Sequence, residues 1–183
     1  MTSAPVLLPR DETPRRCLSL VGMAGAGKST LGRLVAEGLG WAHLDTDKLL
    51  EAYYGLPLQQ LLDRVGLGRF LQLEEHQVGA LGVQRAVIST GGSVVYSQRA
   101  VDRLRLLGPV VFLEIGLETF LARVGRGDDR GLAKAPGKSF EQLYYERQPL
   151  YLAAADFSVR TDEGAPEDCA RQILDWFKET EAL

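Results

Sequence analysis

The stretch Gly22-Met23-Ala24-Gly25-Ala26-Gly27-Lys28-Ser29 is the most informative part of this chain. Two glycines separated by four residues precede a lysine and a serine, which is the pattern of a phosphate-binding loop. In such a loop, glycines allow successive backbone N–H groups to surround phosphate oxygens, the lysine reaches the terminal phosphates, and the serine hydroxyl can bind magnesium. A plain glycine-rich turn would be the alternative explanation.

The sequence on either side of the loop supports the phosphate-binding interpretation. Residues 17–21 are short and apolar like a buried strand, and apolar residues recur afterwards at helical spacing (Leu31, Leu34, Val35 and Leu39). The N-terminus of that helix would direct its partial positive charge towards bound phosphates. The strand, loop and helix together predict a binding site for a nucleoside triphosphate.

Strands and helices alternate along the rest of the chain. Further strands are predicted at residues 42–45, 86–90, 110–114 and 157–159, with helix-compatible sequence between them. The last helix is predicted to begin at Pro166 and to bury one apolar stripe (Ala170, Ile173, Leu174 and Phe177). This order is typical of a parallel sheet covered by helices. We therefore expect an α/β fold of the P-loop NTPase type, a three-layer sandwich with a five-stranded parallel sheet and helices on both faces.

Composition sets the size and class of the domain. With 183 residues, of which 45% are hydrophobic, the chain suffices for one well-buried domain. We expect a disordered tail over residues 1–16, a single domain over residues 17–183, and a monomer. The net charge of −3 argues against a nucleic-acid partner, and no apolar run predicts a membrane span or secretion signal. Cys17 and Cys169 fit no metal-ligand spacing, so they are expected to be free thiols in the cytoplasm.

A charged loop is predicted over residues 125–139, which are rich in Gly, Arg, Lys and Asp and contain few apolar residues. A mobile charged loop opposite a phosphate-binding loop suggests a lid that closes over the transferring phosphate. An ordinary solvated loop is the alternative.

Two acidic residues follow the second predicted strand, in the order Asp45-Thr46-Asp47, and residues 90–93 (Thr-Gly-Gly-Ser) follow the third. Both positions lie where strand ends form a crevice in open α/β sheets. One acid could face magnesium and the other a substrate hydroxyl. Asp47 could instead cap a helix that begins at Lys48, whereas Asp45 has no comparable local role. The sequence has no asparagine for a guanine-reading Asn-Lys-x-Asp element, which argues against a regulatory GTPase.

Taken together, these residues resemble the shikimate kinase family, a group of small phosphate-loop kinases, from about residue 18 to residue 177. The resemblance is carried by the phosphate loop, Asp45-Thr46-Asp47, Phe70 with Glu74, Gly91-Gly92, Arg123, Arg130, and residues 146–151 (Glu-Arg-Gln-Pro-Leu-Tyr). It implies a small-molecule kinase that uses ATP and Mg²⁺ to phosphorylate a hydroxyl group of a small carboxylate.

The resemblance implies roles for residues on the nucleotide side. Arg123 would lie against the adenine, and Ser29 and Asp45 would hold magnesium. Arg130 would move in with the lid and neutralise charge on the transferring phosphoryl group. The phosphate loop would bind the phosphates of ATP through six consecutive residues (Gly25, Ala26, Gly27, Lys28, Ser29 and Thr30).

On the acceptor side, the resemblance implies that Asp47 orients the attacking hydroxyl, that Gly91 and Gly92 present backbone amides, and that Arg147 binds the substrate carboxylate. These roles, with Lys28 and Arg130 as further catalytic groups, are those that phosphoryl transfer requires: positioning and electrostatic stabilisation.

The sequence departs from the family pattern in the lid, which reads Arg130-Gly131-Leu132-Ala133 where the family usually has Arg-Pro-Leu-Leu, and at two positions of the acceptor pocket. In the family, an arginine that grips the substrate carboxylate follows the phenylalanine, and here that position is Leu71; a glycine triplet ends in Ser93. Arg69 is a poor replacement because positions two apart on a helix lie about 200° apart around its axis. Glu74 would therefore lose its partner, and a partly buried carboxylate without a partner is costly.

A zwitterionic acceptor would resolve this problem, with its carboxylate on Arg147 and its ammonium group near Glu74, Glu75 or Asp47. We therefore expect homoserine as the acceptor, in the threonine branch of amino-acid biosynthesis, with shikimate as the alternative. Glu74 could instead pair with Arg69 or Arg85, or face solvent. A non-catalytic nucleotide-binding partner protein is the alternative of another class, although the residues whose loss would mark it are all present (Lys28, Ser29, Asp45 and Arg130).

Overall fold

A computed structural model describes residues 17–124 and 131–181 of the chain. The predicted tail, residues 1–16, lies outside the described residues, as do residues 125–130 of the predicted lid. The helices and strands of the described part are, in chain order, β1 Leu18–Val21, α1 Lys28–Leu39, β2 Ala42–Asp45, α2 Thr46–Tyr54, α3 Leu58–Val65, α4 Leu67–Gly79, β3 Ala86–Ser89, a 3₁₀ helix Val94–Tyr96, α5 Gln98–Leu107, β4 Val110–Glu114, α6 Leu117–Arg123, α7 Phe140–Ala154, β5 Phe157–Arg160 and α8 Pro166–Glu181.

The five strands form one parallel sheet in the order β2-β3-β1-β4-β5. This confirms the predicted α/β sandwich, and each predicted strand lies within one residue of its observed bounds. Strands β1 and β3 are buried at every position, as expected when helices cover both faces of a parallel sheet. The chain adds β2 and β3 on one side of β1 and then β4 and β5 on the other, so a crevice opens at the carboxyl end of β1.

Helices α1 and α8 pack against each other beside the sheet. Helix α8 begins at Pro166 and buries its apolar stripe, as predicted. Gly38 allows the two helices to approach closely, because a Cβ at this position would lie 2.6 Å from Leu174 Cδ1. No helix in the described part of the chain is both long and apolar enough to span a membrane.

A second, smaller hydrophobic cluster joins α2, α3 and α4 beside the main core. It contains Leu50, Leu58, Leu61, Phe70 and Ala133, with Leu71 packed against it. Helix α2 carries Asp47 and helix α4 carries Glu74. The cluster therefore fixes the two helices that bring these carboxyl groups to the crevice.

Candidate active site

The phosphate-binding loop connects β1 to α1 at the centre of the crevice. Gly27 precedes α1 with a left-handed conformation, φ 89°, which a residue with a side chain rarely adopts. Gly22 passes close to β4, where an added Cβ would lie 2.6 Å from the carbonyl oxygen of Leu113. The free N–H groups at the start of α1 therefore face the crevice and suit bound phosphate.

Lys28 folds back over the loop in this structure. Its Nζ donates to the carbonyl oxygens of Gly22, at 2.8 Å, and Met23, at 2.7 Å. Loss of hydration lowers the pKa of Lys28 to about 8, against the opposing attraction of Asp47. The two carbonyl groups hold the ammonium group beside the loop. When ATP binds, its terminal phosphates would replace the carbonyl groups as hydrogen-bond partners of Lys28.

Ser29 and Asp45 form the pair that was predicted to hold magnesium. The Ser29 hydroxyl donates to Asp45 Oδ2 at 2.7 Å. Within the described residues there is no group of three or more His, Cys, Asp or Glu side chains that could hold a metal ion. A hydroxyl and one carboxylate nevertheless fit Mg²⁺, because this ion keeps several waters and takes further ligands from substrate phosphates.

The expectation that Asp45 has no local structural role is wrong. Asp45 Oδ1 accepts hydrogen bonds from the backbone N–H groups of Asp47, at 3.1 Å, and Lys48, at 3.2 Å, and so caps α2. The helix begins at Thr46 rather than at Lys48. Asp47 is therefore inside the first turn, and its side chain is free to face the crevice.

Two adjoining cavities lie beside the loop. The first, here called the loop cavity, has a volume of about 370 Å³ and is lined by residues of the phosphate loop together with Asp45, Asp47 and Thr90. The second, here called the Arg147 cavity, has a volume of about 50 Å³. Its lining consists of Ala24, Lys28, Asp47, Glu74, Gly91, Gly92, Ser93, Gly131, Leu132, Ala133 and Arg147. Asp47 and Lys28 line both cavities, so each of these side chains can contact a ligand in either cavity.

Arg147, on α7, is fully buried against the Arg147 cavity. Its Nη2 donates to the carbonyl oxygen of Ala133 at 2.5 Å, and its Nε donates to the Tyr96 hydroxyl at 3.2 Å. Its Nη1 is buried without a hydrogen-bond partner in the described structure. A Cβ at Gly92 would lie 3.2 Å from this nitrogen. One donor of a buried cation is thus left for an anion in the cavity.

Asp47 supplies an unpartnered oxygen of opposite charge to the same cavity. Its Oδ1 is buried and accepts no hydrogen bond in the described structure. Desolvation raises the pKa of Asp47 to about 6, while Lys28 acts in the opposite direction. At neutral pH the group is therefore ionised for the most part, and it can accept a hydrogen bond from a hydroxyl group.

Gly91 and Gly92, which were predicted to present backbone amides to the substrate, both line the Arg147 cavity, but the amide of Gly91 already has a hydrogen-bond partner. It donates to Thr46 Oγ1 at 3.1 Å. The absence of a side chain at Gly91 has a clear reason, because a Cβ would lie 2.7 Å from Asp47 Oδ1 and closer still to Glu74 Oε1. The carbonyl oxygen of Gly92 accepts from the Tyr151 hydroxyl at 2.6 Å.

Glu74 is buried, and its partner is neutral. The Ser93 hydroxyl donates to Glu74 Oε2. Burial and, to a lesser extent, the nearby Asp47 raise the pKa of Glu74 to about 8, while the hydrogen bond from Ser93 and the charges of Arg147 and Lys28 act in the opposite direction. This carboxyl group therefore does not require a positive partner, because a pKa of about 8 favours its protonated form at neutral pH. Arg69 does not meet it either, since its side chain is exposed and donates to Gln72.

The predicted lid is described only in part. Arg130 lies outside the described residues, whereas Gly131 donates its N–H to Gln59 Oε1 on α3 at 3.0 Å. Residues 131–133 cover the Arg147 cavity. Arg123 lies against the phosphate loop, where its Nη1 donates to the carbonyl oxygen of Gly25.

Two contacts in this site were not predicted from the sequence. Tyr96 supports Arg147, and Ser93, noted only as a departure from the family pattern, is the partner of Glu74. Tyr96 lies 51 positions before Arg147, so no local pattern connects the two residues. Ser93 could have been identified as a site residue from its position, because it directly follows two glycines at the end of a strand.

Comparison with known proteins agrees with this geometry. The sequence model described as shikimate kinase matches residues 24–178. A shikimate kinase from Pseudoalteromonas translucida is 39% identical over 165 residues, which cover 88% of this chain and 96% of that protein. The structure of shikimate kinase from Acinetobacter baumannii in complex with shikimate is 30% identical, covers 91% of this chain and 94% of its own, and superposes with a TM-score of 0.81. Shikimate kinase from Aquifex aeolicus, also 30% identical, covers 90% of this chain and 98% of its own, with a TM-score of 0.77.

Proposed function

The chain belongs to the shikimate kinase family, and on this premise we propose that it transfers the γ-phosphoryl group of ATP to a hydroxyl group of shikimate. It is a small-molecule kinase that uses ATP and Mg²⁺. Its place would then be the biosynthesis of aromatic amino acids rather than the predicted threonine branch. Two free, buried thiols, Cys17 and Cys169, fit the proposed cytoplasmic location, and we propose that it acts as a monomer.

One observation carries the proposal for the acceptor. Two buried, unpartnered atoms of opposite charge, Arg147 Nη1 and Asp47 Oδ1, face one small cavity. An acceptor with a carboxylate at one end and a hydroxyl group at the other would satisfy both atoms. Arg147 is suited to the carboxylate, because a guanidinium forms directional, charge-assisted hydrogen bonds. Since Asp47 also lines the loop cavity, the hydroxyl group would be held beside the phosphate to be transferred.

The loop cavity is where ATP and Mg²⁺ would bind. Residues 25–30 would hold the phosphates, with Arg123 beside the adenine, and Ser29 and Asp45 would hold the metal ion. The bound metal ion neutralises charge on the phosphates. Lys28 is well placed to stabilise the transferring group, because its ammonium lies at the boundary of the two cavities.

Asp47 is the residue we propose to orient the attacking hydroxyl and to accept its proton. Its ionised form at neutral pH, next to Lys28, suits this task. We propose that residues 125–139 form the lid and that Arg130 adds positive charge from it. Gly131 and its neighbours over the Arg147 cavity would then have to move for the acceptor to enter.

The prediction of homoserine rested on an ionised Glu74 without a partner. In the structure, Ser93 donates a hydrogen bond to this carboxyl group, and burial raises its pKa to about 8, which favours the protonated form at neutral pH. A protonated carboxyl group does not require an ammonium group beside it. The relatives named above are shikimate kinases, so both observations favour the alternative acceptor, shikimate.

A coupled assay of ADP release tests the proposal, with ATP, Mg²⁺ and either shikimate, homoserine or no acceptor. We expect ADP release when shikimate is the acceptor, and none with homoserine or without an acceptor. Arg147→Ala should raise the KM for shikimate and leave the KM for ATP unchanged, while the control Arg105→Ala, on α5, should behave as wild type. Turnover with homoserine in place of shikimate would refute the proposed substrate. If neither acceptor increased the rate of ADP release, the result would favour a non-catalytic nucleotide-binding protein.

A further inference from the structure

Tyr96 contacts Arg147 in two ways. Its hydroxyl oxygen accepts a hydrogen bond from Arg147 Nε at 3.2 Å, and the guanidinium carbon lies 5.0 Å from the centre of its ring. Tyr96 ends the 3₁₀ helix that directly follows residues 91–93 at the Arg147 cavity. The same turn that lines the cavity therefore also supports the arginine behind it.

The hydroxyl group of Tyr96 is used as both acceptor and donor. It accepts from Arg147 and donates to Glu146 Oε1 at 2.7 Å. Glu146 Oε2 in turn pairs with Lys138. Burial raises the pKa of Tyr96, so the phenol keeps the proton that it donates across the neutral range. This series of contacts fixes the direction of the phenol hydrogen and leaves its lone pair for Arg147.

Neutral groups provide the observed contacts of Arg147. Within residues 17–124 and 131–181, no carboxylate lies within 4 Å of its guanidinium nitrogens as an ion pair. Burial raises the pKa of the nearby Glu74 to about 8, which favours its uncharged form at neutral pH. The orientation of the side chain therefore depends on the ring and hydroxyl of Tyr96 and on the carbonyl oxygen of Ala133, with the hydroxyl of the buried Tyr151 also nearby. These contacts occupy Nε and Nη2, and they leave Nη1 facing the cavity.

We propose that Tyr96 is a positioning residue that holds Arg147 with Nη1 directed into the Arg147 cavity, so that the carboxylate of the acceptor meets a preformed binding group. The proposal rests on the proposed function in one respect, namely that the acceptor is an acid. Preorganisation of this kind reduces the entropy lost on binding, because a long, flexible side chain is fixed before the acceptor arrives. It assigns a role in acceptor affinity to a residue outside the predicted site.

The test compares Tyr96→Phe, which keeps the ring, with Tyr96→Ala, which removes both contacts. We expect Tyr96→Phe to raise the KM for shikimate by roughly tenfold, as for loss of a hydrogen bond to a charged group, with kcat and the KM for ATP unchanged. Tyr96→Ala should raise it further through loss of the cation–π contact. The control Tyr145→Phe changes a tyrosine that is 65% exposed, two positions before Arg147, and should behave as wild type.

Two further measurements separate positioning from a general structural effect. With the methyl ester of shikimate, which lacks the charge that Arg147 binds, Tyr96→Phe and wild type should have the same KM. In an Arg147→Ala background, Tyr96→Phe should cause no additional rise. An unchanged KM for shikimate in Tyr96→Phe, or an equal rise for acid and ester, would overturn the proposal.

Failure of the proposed function would be recognised separately. The wild-type assay alone decides whether shikimate is phosphorylated. The contact between Tyr96 and Arg147 is read without any substrate from the Arg147 Nε–H resonance in ¹⁵N NMR spectra. This resonance should be protected from solvent exchange in wild type and lose protection in Tyr96→Phe. Equal protection in both proteins would overturn the role of Tyr96, whichever acceptor is used.

Discussion

Replacement of Glu74 by glutamine should change how the stability of the protein depends on pH. The amide keeps the shape of the side chain and can still accept a hydrogen bond from Ser93, but it carries no titrating proton. In the wild type, burial raises the pKa of Glu74 from an ordinary value of 4.5 to about 8. Between these two values the folded protein holds a proton that the unfolded chain has released.

The direction and size of the effect follow from this difference. Because the folded state binds more protons than the unfolded state, the free energy of unfolding of the wild type falls as the pH rises. This contribution of Glu74 is fully present below pH 4.5 and is lost as the pH rises through about 8. An isolated group with these two pKa values would lose about 3 kcal/mol between pH 5 and pH 8. Glu74→Gln has no titrating group at this position and does not lose this stability. The free energy of unfolding of Glu74→Gln minus that of wild type should therefore increase by a similar amount between pH 5 and pH 8.

Urea denaturation of both proteins at several pH values from 5 to 8 measures this difference. Asp47 also has a raised pKa, about 6, but it is present in both proteins, so its contribution largely cancels. Glu75→Gln is the matched control, because Glu75 lies next on the same helix and its side chain is 38% exposed. Its stability relative to wild type should not vary in this way.

A constant difference in stability between Glu74→Gln and wild type from pH 5 to pH 8 would show that the pKa of Glu74 is not raised in the folded protein. Glu74 would then be ionised in the folded protein, and its buried charge would need a positive partner. An acceptor with an ammonium group would then supply that partner. The stability experiment thus tests the choice of substrate without any measurement of activity.

Three further predictions concern the site itself. Gly91→Ala should lower kcat by about 100-fold, because a Cβ at this position would displace Asp47 and Glu74, and displacements of about 1 Å in an active site have effects of this size. The milder contact of a Cβ at Gly92, 3.2 Å from Arg147 Nη1, should make Gly92→Ala raise mainly the KM for the acceptor; steady-state kinetics of both variants distinguish the two effects. Asp45→Asn should raise the Mg²⁺ concentration needed for half-maximal activity, measured by Mg²⁺ titration at fixed ATP, and an unchanged requirement would remove Asp45 from the metal site.

The fold could be predicted because its main signals are local. A strand, a glycine-rich loop and a helix follow one another between residues 18 and 39, and each has its own pattern of apolar residues. The order of strands and helices then favours a parallel sheet with little ambiguity. Helix boundaries were harder to place where two capping residues compete. Asp45 and Asp47 both suit a helix start, and only the structure shows that Asp45 accepts from the N–H groups two and three positions later.

The charge state of the site could not be predicted in the same way. Glu74 and Ser93 are separated by 19 positions, and the sequence gives no measure of how deeply the carboxyl group is buried. Burial is a property of the assembled α2, α3 and α4 cluster, and it determines whether the proton is retained. A carboxylate judged from sequence alone is assigned its charge in water, which led to the expectation of an ammonium group.

The net charge of the acceptor site explains why the absence of an arginine at position 71 is compatible with an acidic substrate. An arginine paired with an ionised glutamate contributes no net charge, and neither does Leu71 with a protonated Glu74. In both arrangements Lys28 and Asp47 balance each other at the boundary of the two cavities, and Arg147 remains as one positive charge in excess. A monoanionic acid neutralises that excess. A zwitterion would leave it in place and would add an ammonium group close to two buried cations, where the carboxylate of Asp47 already balances Lys28.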